Sequence, residues 1–502
     1  MAPPAALDLM QLQRVANFLG LVPVPKAPAP VRVGVMGASQ VATYAMLWPA
    51  KRVPEAEVVA VAARDGTRAR DYARQHGIAR SYGSYEALLA DPEVDAVYVG
   101  LPNGLHGQWA AAALEAGKHV LCEKPFTANE EEAREVQALA RRKGLLCREA
   151  FHYREHPLAA HLASLLGSPA PAWLPASCSS SSSSAAASAK APGPGAAWAA
   201  PGVKAPAGPG AAWAAGGGAR AGGAPGPGQG AEAAAAADVA EVLAGGGALG
   251  PLRSIHVEVL IPKWVFGSAN IRWQESLAGG AGMDAGCYCL HAIRSLAGER
   301  PEVVQAEATL APGSTVVDAA MRGRLRWRGS PLEGSFAASL AHEGLLPAST
   351  IDVRGERGSL RCSNFIMPVF GNFVQVTTSA MQAAGGEGKG SPTATTTTTA
   401  RVYGPGEGTY FHQLSRFARD VRTVEEARGS ADEGTLLAAS RLLEADALDC
   451  VANMALLDAA YRAAGLQPRL TSAQALAAAK AAAKAPAGAA VDPAAGSGTL
   501  VA

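Results

Sequence analysis

The chain has 502 residues, a formal net charge of +1 and charged residues at 17%, with no basic stripe or block of like charge, which excludes nucleic acid and anionic membrane as principal partners. Seven scattered cysteines without C-x-x-C spacing exclude a disulfide framework and a zinc site and point to a reducing, cytoplasmic setting; no metal ligand set is expected. No uninterrupted apolar run reaches transmembrane length, so a soluble chain is expected.

Residues 1–30 open with a short helical pattern, Leu9, Leu12, Val15, Phe18 and Leu19 on one face, and continue as a Pro-rich connector. With Asp8 and few arginines, this stretch matches a transit or signal peptide poorly. Residues 31–45, VRVGVMGASQVATYA, read as strand, tight turn and helix. Val31, Val33, Val35 and Met36 suit a parallel strand covered on both faces, and Gly37 permits the turn. A helix starting near Ser39 or Gln40 aims its unpaired N–H groups and positive dipole end at the turn, where a dinucleotide pyrophosphate fits. Gly37-Ala38-Ser39-Gln40-Val41-Ala42 stands where a dinucleotide fingerprint has G-x-G-x-x-G/A, with Ser39 in place of the second glycine. From this hexapeptide alone, an ordinary βα turn without ligand reads equally well.

A second strand is expected over 58–62 and a helix over 65–76; residues 84–90 and 94–101 repeat the unit. A helix over 107–116 ends at Gly117, a strand occupies 119–122, a helix over 129–143 ends at Gly144, and a strand follows at 145–148. This alternation predicts a doubly wound parallel sheet. At the end of the second strand an NAD site places a carboxylate for the ribose 2′-hydroxyl, but Ala63 or its neighbour stands there. Arg64 and Arg68, one helical turn apart, suit a 2′-phosphate, which favours NADP over NAD. Glu123-Lys124-Pro125 lies just past the strand at 119–122, where a lysine can polarise a hydroxyl or carbonyl. Leu101, Pro102, Asn103 and His106 occupy the same rim; His106 reads as a structural histidine or as a group on the nicotinamide side.

Residues 167–247 shift to Ser, Ala, Gly and Pro and lack the large aliphatic side chains that offset ordering entropy, so a disordered insertion is expected. Beyond it, strands over 254–261, 303–310, 319–327 and 333–340 predict a largely antiparallel sheet with a helix at 289–296 on one face. Residues 384–399 read as a low-complexity loop, helices over 410–423 and 447–464 close the domain, and the tail past 470 is expected to be loose. In GGAGMDAGCY, residues 279–288, Asp284 and Tyr288 are four apart and share a helix face, able to orient a substrate and move a proton.

These motifs, with Glu149-Ala150-Phe151-His152-Tyr153-Arg154, resemble the Gfo/Idh/MocA oxidoreductases over residues 31–166 and 249–470, and most of all the branch of NADP-dependent D-xylose 1-dehydrogenases and dimeric dihydrodiol dehydrogenases. The resemblance implies an α/β Rossmann domain (31–166) followed by an α+β domain with a large, mostly antiparallel open sheet (248–470) that binds substrate and mediates a homodimer or higher homo-oligomer. It implies that Lys124 is the catalytic lysine, on a commonly cis Lys-Pro bond, that Asp284 orients substrate, and that Tyr288 transfers the proton with its pKa lowered by Lys124. Cofactor contacts are assigned to Gly37, Ala38, Ser39, Gln40, Val41, Arg64, Arg68, Leu101, Pro102, Asn103, His106, Glu123, Lys124 and Pro125, and substrate contacts to Tyr153, Arg154, Asp284 and Tyr288. His291, one turn beyond Tyr288, is the reserve proton acceptor. The implied activity is oxidation of a D-xylose-like aldose at the anomeric carbon to a lactone, with NADP accepting the hydride. A trans-dihydrodiol dehydrogenase uses the same residues. A non-catalytic cofactor- or sugar-sensing regulator can dispense with the lysine, so the presence of Lys124, Asp284 and Tyr288 favours an enzyme.

Overall fold

The computed structural model describes residues 9–167, 247–297, 301–379, 395–403 and 406–484. The expected insertion lies outside these residues apart from Gly167 and Gly247 at its edges. Six strands form the first sheet: β1 (Val31–Met36), β2 (Ala56–Ala62), β3 (Arg80–Tyr82), β4 (Ala96–Val99), β5 (His119–Cys122) and β6 (Cys147–Glu149). All pair in parallel, in the order β3-β2-β1-β4-β5-β6. Helices Gly66–His76, His106–Glu115 and Glu130–Lys143 make crossovers, and the first and last start on the caps Asp65 and Asn129. Because the chain runs outward from β1 on one side and from β4 on the other, a crevice opens at their C-terminal ends.

The second sheet has eight strands: β7 (Leu252–Pro262), β8 (Glu302–Leu310), β9 (Asp318–Arg326), β10 (Glu333–His342), β11 (Ala348–Gly355), β12 (Gly358–Ser363), β13 (Phe373–Ser379) and β14 (Thr395–Ala400). Their order is β14-β13-β12-β11-β7-β10-β9-β8, antiparallel except for the β7–β10 pair. Helix Cys287–Ala297 covers one face and is entered through the π-turn Gly282–Gly286, which is buried from end to end.

Several expectations need correction. Strand β14 overlaps the end of the stretch expected to be a loop, and β3 and β11 to β13 were not anticipated. The tail past 470 begins with helix Ser472–Lys484. The closing helices, Thr409–Arg428 and Glu433–Ala463, are longer than expected, and the first packs into the Rossmann core, where Leu414, Phe417 and Val421 join Val33, Val35 and Leu121. Ion pairs reinforce this return: buried Arg148 on β6 reaches Asp420 and Asp446 at 2.7 and 2.8 Å. Among the described residues, no helix is long and apolar enough to cross a membrane.

Candidate active site

A cleft of about 800 Å³ occupies the crevice, running from the β1 turn to helix Cys287–Ala297. At the turn, Gly37 has φ +103°, and a Cβ there would lie 2.6 Å from the Gly100 carbonyl oxygen, so the position requires glycine. Ser39 caps the next helix by accepting from the Ala42 N–H at 3.2 Å. Asp65, the carboxylate nearest the end of β2, is likewise engaged as a cap, accepting from Thr67 N at 2.8 Å. Arg64 and Arg68 stand exposed at the cleft edge, and Arg68 also donates to the Ala38 carbonyl oxygen through Nε at 3.2 Å and Nη2 at 2.8 Å.

The cleft gathers Gly37, Ala38, Ser39, Val41, Arg64, Arg68, Leu101, Pro102, Asn103, His106, Glu123, Lys124, Asp284 and Tyr288 from the expected set. Gln40 is exposed outside this lining, because the helix turns it outward, and Pro125 is buried outside it. His106 touches the cleft, but both ring nitrogens face backbone carbonyls, Pro125 O at 2.8 Å and Leu101 O at 2.7 Å. It clamps the loops after β4 and β5 together and leaves no ring nitrogen for a ligand.

The centre of the cleft is ionic. Lys124 Nζ donates to Asp284 Oδ1 at 2.9 Å and to the Asp284 carbonyl oxygen at 3.0 Å, while Arg272 Nε donates to Oδ2 at 2.6 Å. The Lys124–Pro125 peptide is cis. Burial opposes ionisation of Asp284, but Lys124 and then Arg272 outweigh it and hold the carboxyl well below the usual carboxylate range. Burial likewise opposes the Lys124 ammonium, and Asp284 outweighs it, so the lysine pKa is raised. Asp284 is fixed from behind: Asp318 Oδ2 accepts from Gly282 N at 2.6 Å, and Tyr461 OH donates to Oδ1 at 3.0 Å. A Cβ at Gly280, φ +133°, would sit 2.1 Å from Asp318 Oδ1, so this glycine serves that bracket.

Tyr288 departs from expectation. Its hydroxyl meets His152 Nε2 at 3.1 Å, and Lys124 Nζ lies 5.1 Å from its ring centroid. Burial, then Tyr410 and Glu123, push the phenol pKa well up, the opposite of the expected lowering. His152 Nδ1 pairs with Thr409 Oγ1 at 2.8 Å; burial, then Lys124, lower its pKa to about 3, so the imidazole is neutral.

Tyr153 and Arg154, expected at the substrate, do not line the cleft. Tyr153 OH bonds His291 Nδ1 at 2.5 Å, and Arg154 is buried against Asp449 at 2.6 Å and Asp446 at 3.3 Å, so the short turn His152–Glu155 sends them into an interior charge network. His291, the reserve acceptor, is in the same network, with Nε2 at 3.2 Å from Asp449. Sequence reasoning missed Arg272, Tyr410, Phe266 and the role of His152. Of these only His152 carried a signal, as part of the motif at 149–154. Tyr410 stacks near His152, ring centroids 4.0 Å apart, and Tyr44 lies 5.6 Å from Tyr410, giving the cleft an aromatic wall.

Residues 31–151 match the oxidoreductase family with an NAD-binding Rossmann fold, and residues 238–361 match the Gfo/Idh/MocA C-terminal domain. The chain thus carries both the N-terminal and the C-terminal domain of the Gfo/Idh/MocA oxidoreductases. It is 46% identical over 135 residues to D-xylose 1-dehydrogenase (NADP(+)) 2 of Haloferax volcanii, covering 27% of this chain and 41% of that protein. It is 48% identical over 116 residues to trans-1,2-dihydrobenzene-1,2-diol dehydrogenase of Oryctolagus cuniculus, covering 23% of this chain and 35% of that protein. The chain thus aligns with about two fifths or less of the length of these curated relatives. Its fold is that of KijD10, a 3-ketoreductase from Actinomadura kijaniata solved with NADP and TDP-benzene, with a TM-score of 0.57, 22% identity, and coverage of 86% of this chain and 96% of that one.

Proposed function

We propose that this Gfo/Idh/MocA chain is an NADP-dependent dehydrogenase that oxidises a hydroxyl-bearing carbon of an aldose, D-xylose-like at the anomeric position, to a lactone. The observation that carries the reading is that one cleft joins the Gly37 turn to the Lys124–Asp284 pair and Tyr288. A dinucleotide fits the residues present: Gly37 leaves no room for a side chain, the cleft holds about 800 Å³, and exposed Arg64 and Arg68 match a 2′-phosphate. The NADP(+) dependence of the Haloferax relative and the NADP bound to KijD10 support the same cofactor.

Bound NADP supplies the hydride acceptor. Lys124 has three N–H donors and directs two at Asp284, which leaves one for the substrate oxygen. Asp284, ionised and gripped by Lys124 and Arg272, keeps that ammonium charged and aimed. Tyr288 takes the hydroxyl proton as the carbonyl forms. Tyr44, Tyr410 and Phe266 line the cleft, where they present an apolar face to the sugar ring and exclude water. The same aromatic wall favours, as a second reading, a carbocyclic diol of the kind named for the Oryctolagus relative. Self-association is proposed through the eight-stranded sheet, which sedimentation at graded concentrations tests.

A panel of aldoses and trans-diols with NADP and NAD, followed by absorbance of the reduced nicotinamide, tests the reading. Turnover of an aldose with NADP is expected; turnover confined to diols selects the second reading. Cofactor binding without turnover of any member contradicts both and identifies a sensing protein.

A further inference from the structure

Tyr288 is a poor resting place for the substrate's proton, since its phenol is buried and already protonated. Among the described residues its oxygen has one hydrogen-bond partner, His152 Nε2 at 3.1 Å. Other acceptors nearby are engaged. Glu123 accepts from Tyr98 OH at 2.8 Å and from Lys124 N at 3.2 Å, and His291 faces Tyr153 and Asp449 away from the cleft. His152 lines the cleft, is packed against the Tyr410 ring and is tied at Nδ1 to Thr409 Oγ1, so its Nε2 lone pair can be presented to Tyr288 in one orientation.

We propose that His152, held at Nδ1 by Thr409, is the positioning residue that accepts the proton behind Tyr288. This rests on the hydroxyl oxidation proposed above. The substrate C–H bond breaks with its electron pair leaving as hydride to the oxidised nicotinamide, and the O–H bond breaks as the C=O bond forms. The substrate proton moves to the Tyr288 oxygen while the Tyr288 proton moves to His152 Nε2. The phenol is regenerated, and the imidazolium, still donating from Nδ1 to Thr409 Oγ1, releases its proton into the cleft. As its hydride leaves, the hydroxyl becomes strongly acidic, so a weakly basic imidazole suffices as acceptor. Its neighbours from the surrounding elements are the cation Lys124, the neutral His156 and the hydroxyls of Thr409, Tyr288 and Tyr410, so among the described residues no carboxylate meets the ring itself.

Two measurements on the full chain test this. Nitrogen-15 NMR of labelled histidine, with the His152 signals assigned by their loss in His152→Gln, reads the tautomer at neutral pH. The proposal requires a protonated Nδ1 and a bare Nε2 whose shift changes in Tyr288→Phe. A protonated Nε2 overturns it, whatever the substrate proves to be. In kinetics, His152→Gln keeps a hydrogen-bonding side chain but cannot take up a proton. It is expected to lower kcat about 10- to 100-fold with KM and NADPH affinity within about twofold of the parent. In a Tyr288→Phe background the same change should cost little more, because the two act as one unit. A kcat near the parent's, or a full additional loss in that background, overturns the relay. If the parent turns over nothing in the panel, the proposed oxidation fails, and the tautomer still decides the hydrogen-bond arrangement.

Discussion

Lys124 Nζ grips Asp284 twice, through the backbone carbonyl oxygen at 3.0 Å and through Oδ1 at 2.9 Å, across 160 residues of sequence. The contact ties the rim of the parallel sheet to the helix that covers the antiparallel one. It also makes stability depend on pH. Although burial opposes it, the Asp284 carboxyl is held below its unfolded value by Lys124 and Arg272, so its contribution is fully present above about pH 4 and is lost as pH falls toward the folded pKa. Asp284→Asn should therefore melt below the parent at neutral pH, and the gap should narrow as pH drops below about 4. Melting temperatures across a pH series check this; a gap independent of pH contradicts it.

Cofactor preference is expected to rest on Arg64 more cleanly than on Arg68, because Arg68 also holds the Ala38 carbonyl. Arg64→Ala should raise KM for NADP about 10- to 100-fold and leave that for NAD nearly unchanged, the effect of losing a charge-assisted pair to phosphate. Arg68→Ala should weaken both cofactors, NADP more. Initial-rate kinetics with each cofactor decide, and equal losses for Arg64→Ala would assign that residue to the fold.

The legible parts of this chain were those with a local signal. The strand at 31–36, its Gly37 turn and the strand at 119–122 announce themselves as short apolar runs between helical patterns, and Lys124, Asp284 and Tyr288 sit in motifs of fixed spacing. Strand Thr395–Ala400 gave no such signal: it is a largely exposed edge strand of threonines, paired with β13 alone and without an apolar face. Tyr153 and Arg154 were misassigned because nothing local tells which way a one-turn 3-10 helix points its side chains; Asp446 and Asp449, almost 300 residues on, decide it. Arg272 and Tyr410 reach the cleft through tertiary packing, which no periodicity encodes.

The charge network under β6 should be a stability element. Arg148 is 4% exposed and donates through Nε to Asp446 at 3.0 and 2.9 Å and through Nη2 to Asp420 at 2.7 Å. Arg148→Met takes one cation from two buried carboxylates, leaving Asp446 with Arg154 at 3.3 Å and Asp420 with Arg416 at 2.7 Å, and is expected to cost about 1–3 kcal/mol. Denaturant unfolding measures it; a loss below about 1 kcal/mol would show that the acids find other partners.

The segment 168–246 is expected to be replaceable. Its flanks meet, with Ala248 N donating to Leu165 O at 2.9 Å and Arg357 Nη2 donating to Gly247 O at 3.0 Å, so a short Gly/Ser linker can close the chain. Melting temperature within about 2 °C and kcat within about twofold of the parent are predicted, and a large loss of either would show that the segment packs or gates.

Tyr288 is proposed to move the substrate's proton in a cleft that Lys124 and Asp284 organise. Tyr288→Phe removes a single hydroxyl, so NADPH affinity, measured by nicotinamide fluorescence, and melting temperature should stay near the parent's. With the best aldose of the panel, kcat should fall by about 10² to 10⁴. Near-parent turnover in Tyr288→Phe would contradict the account.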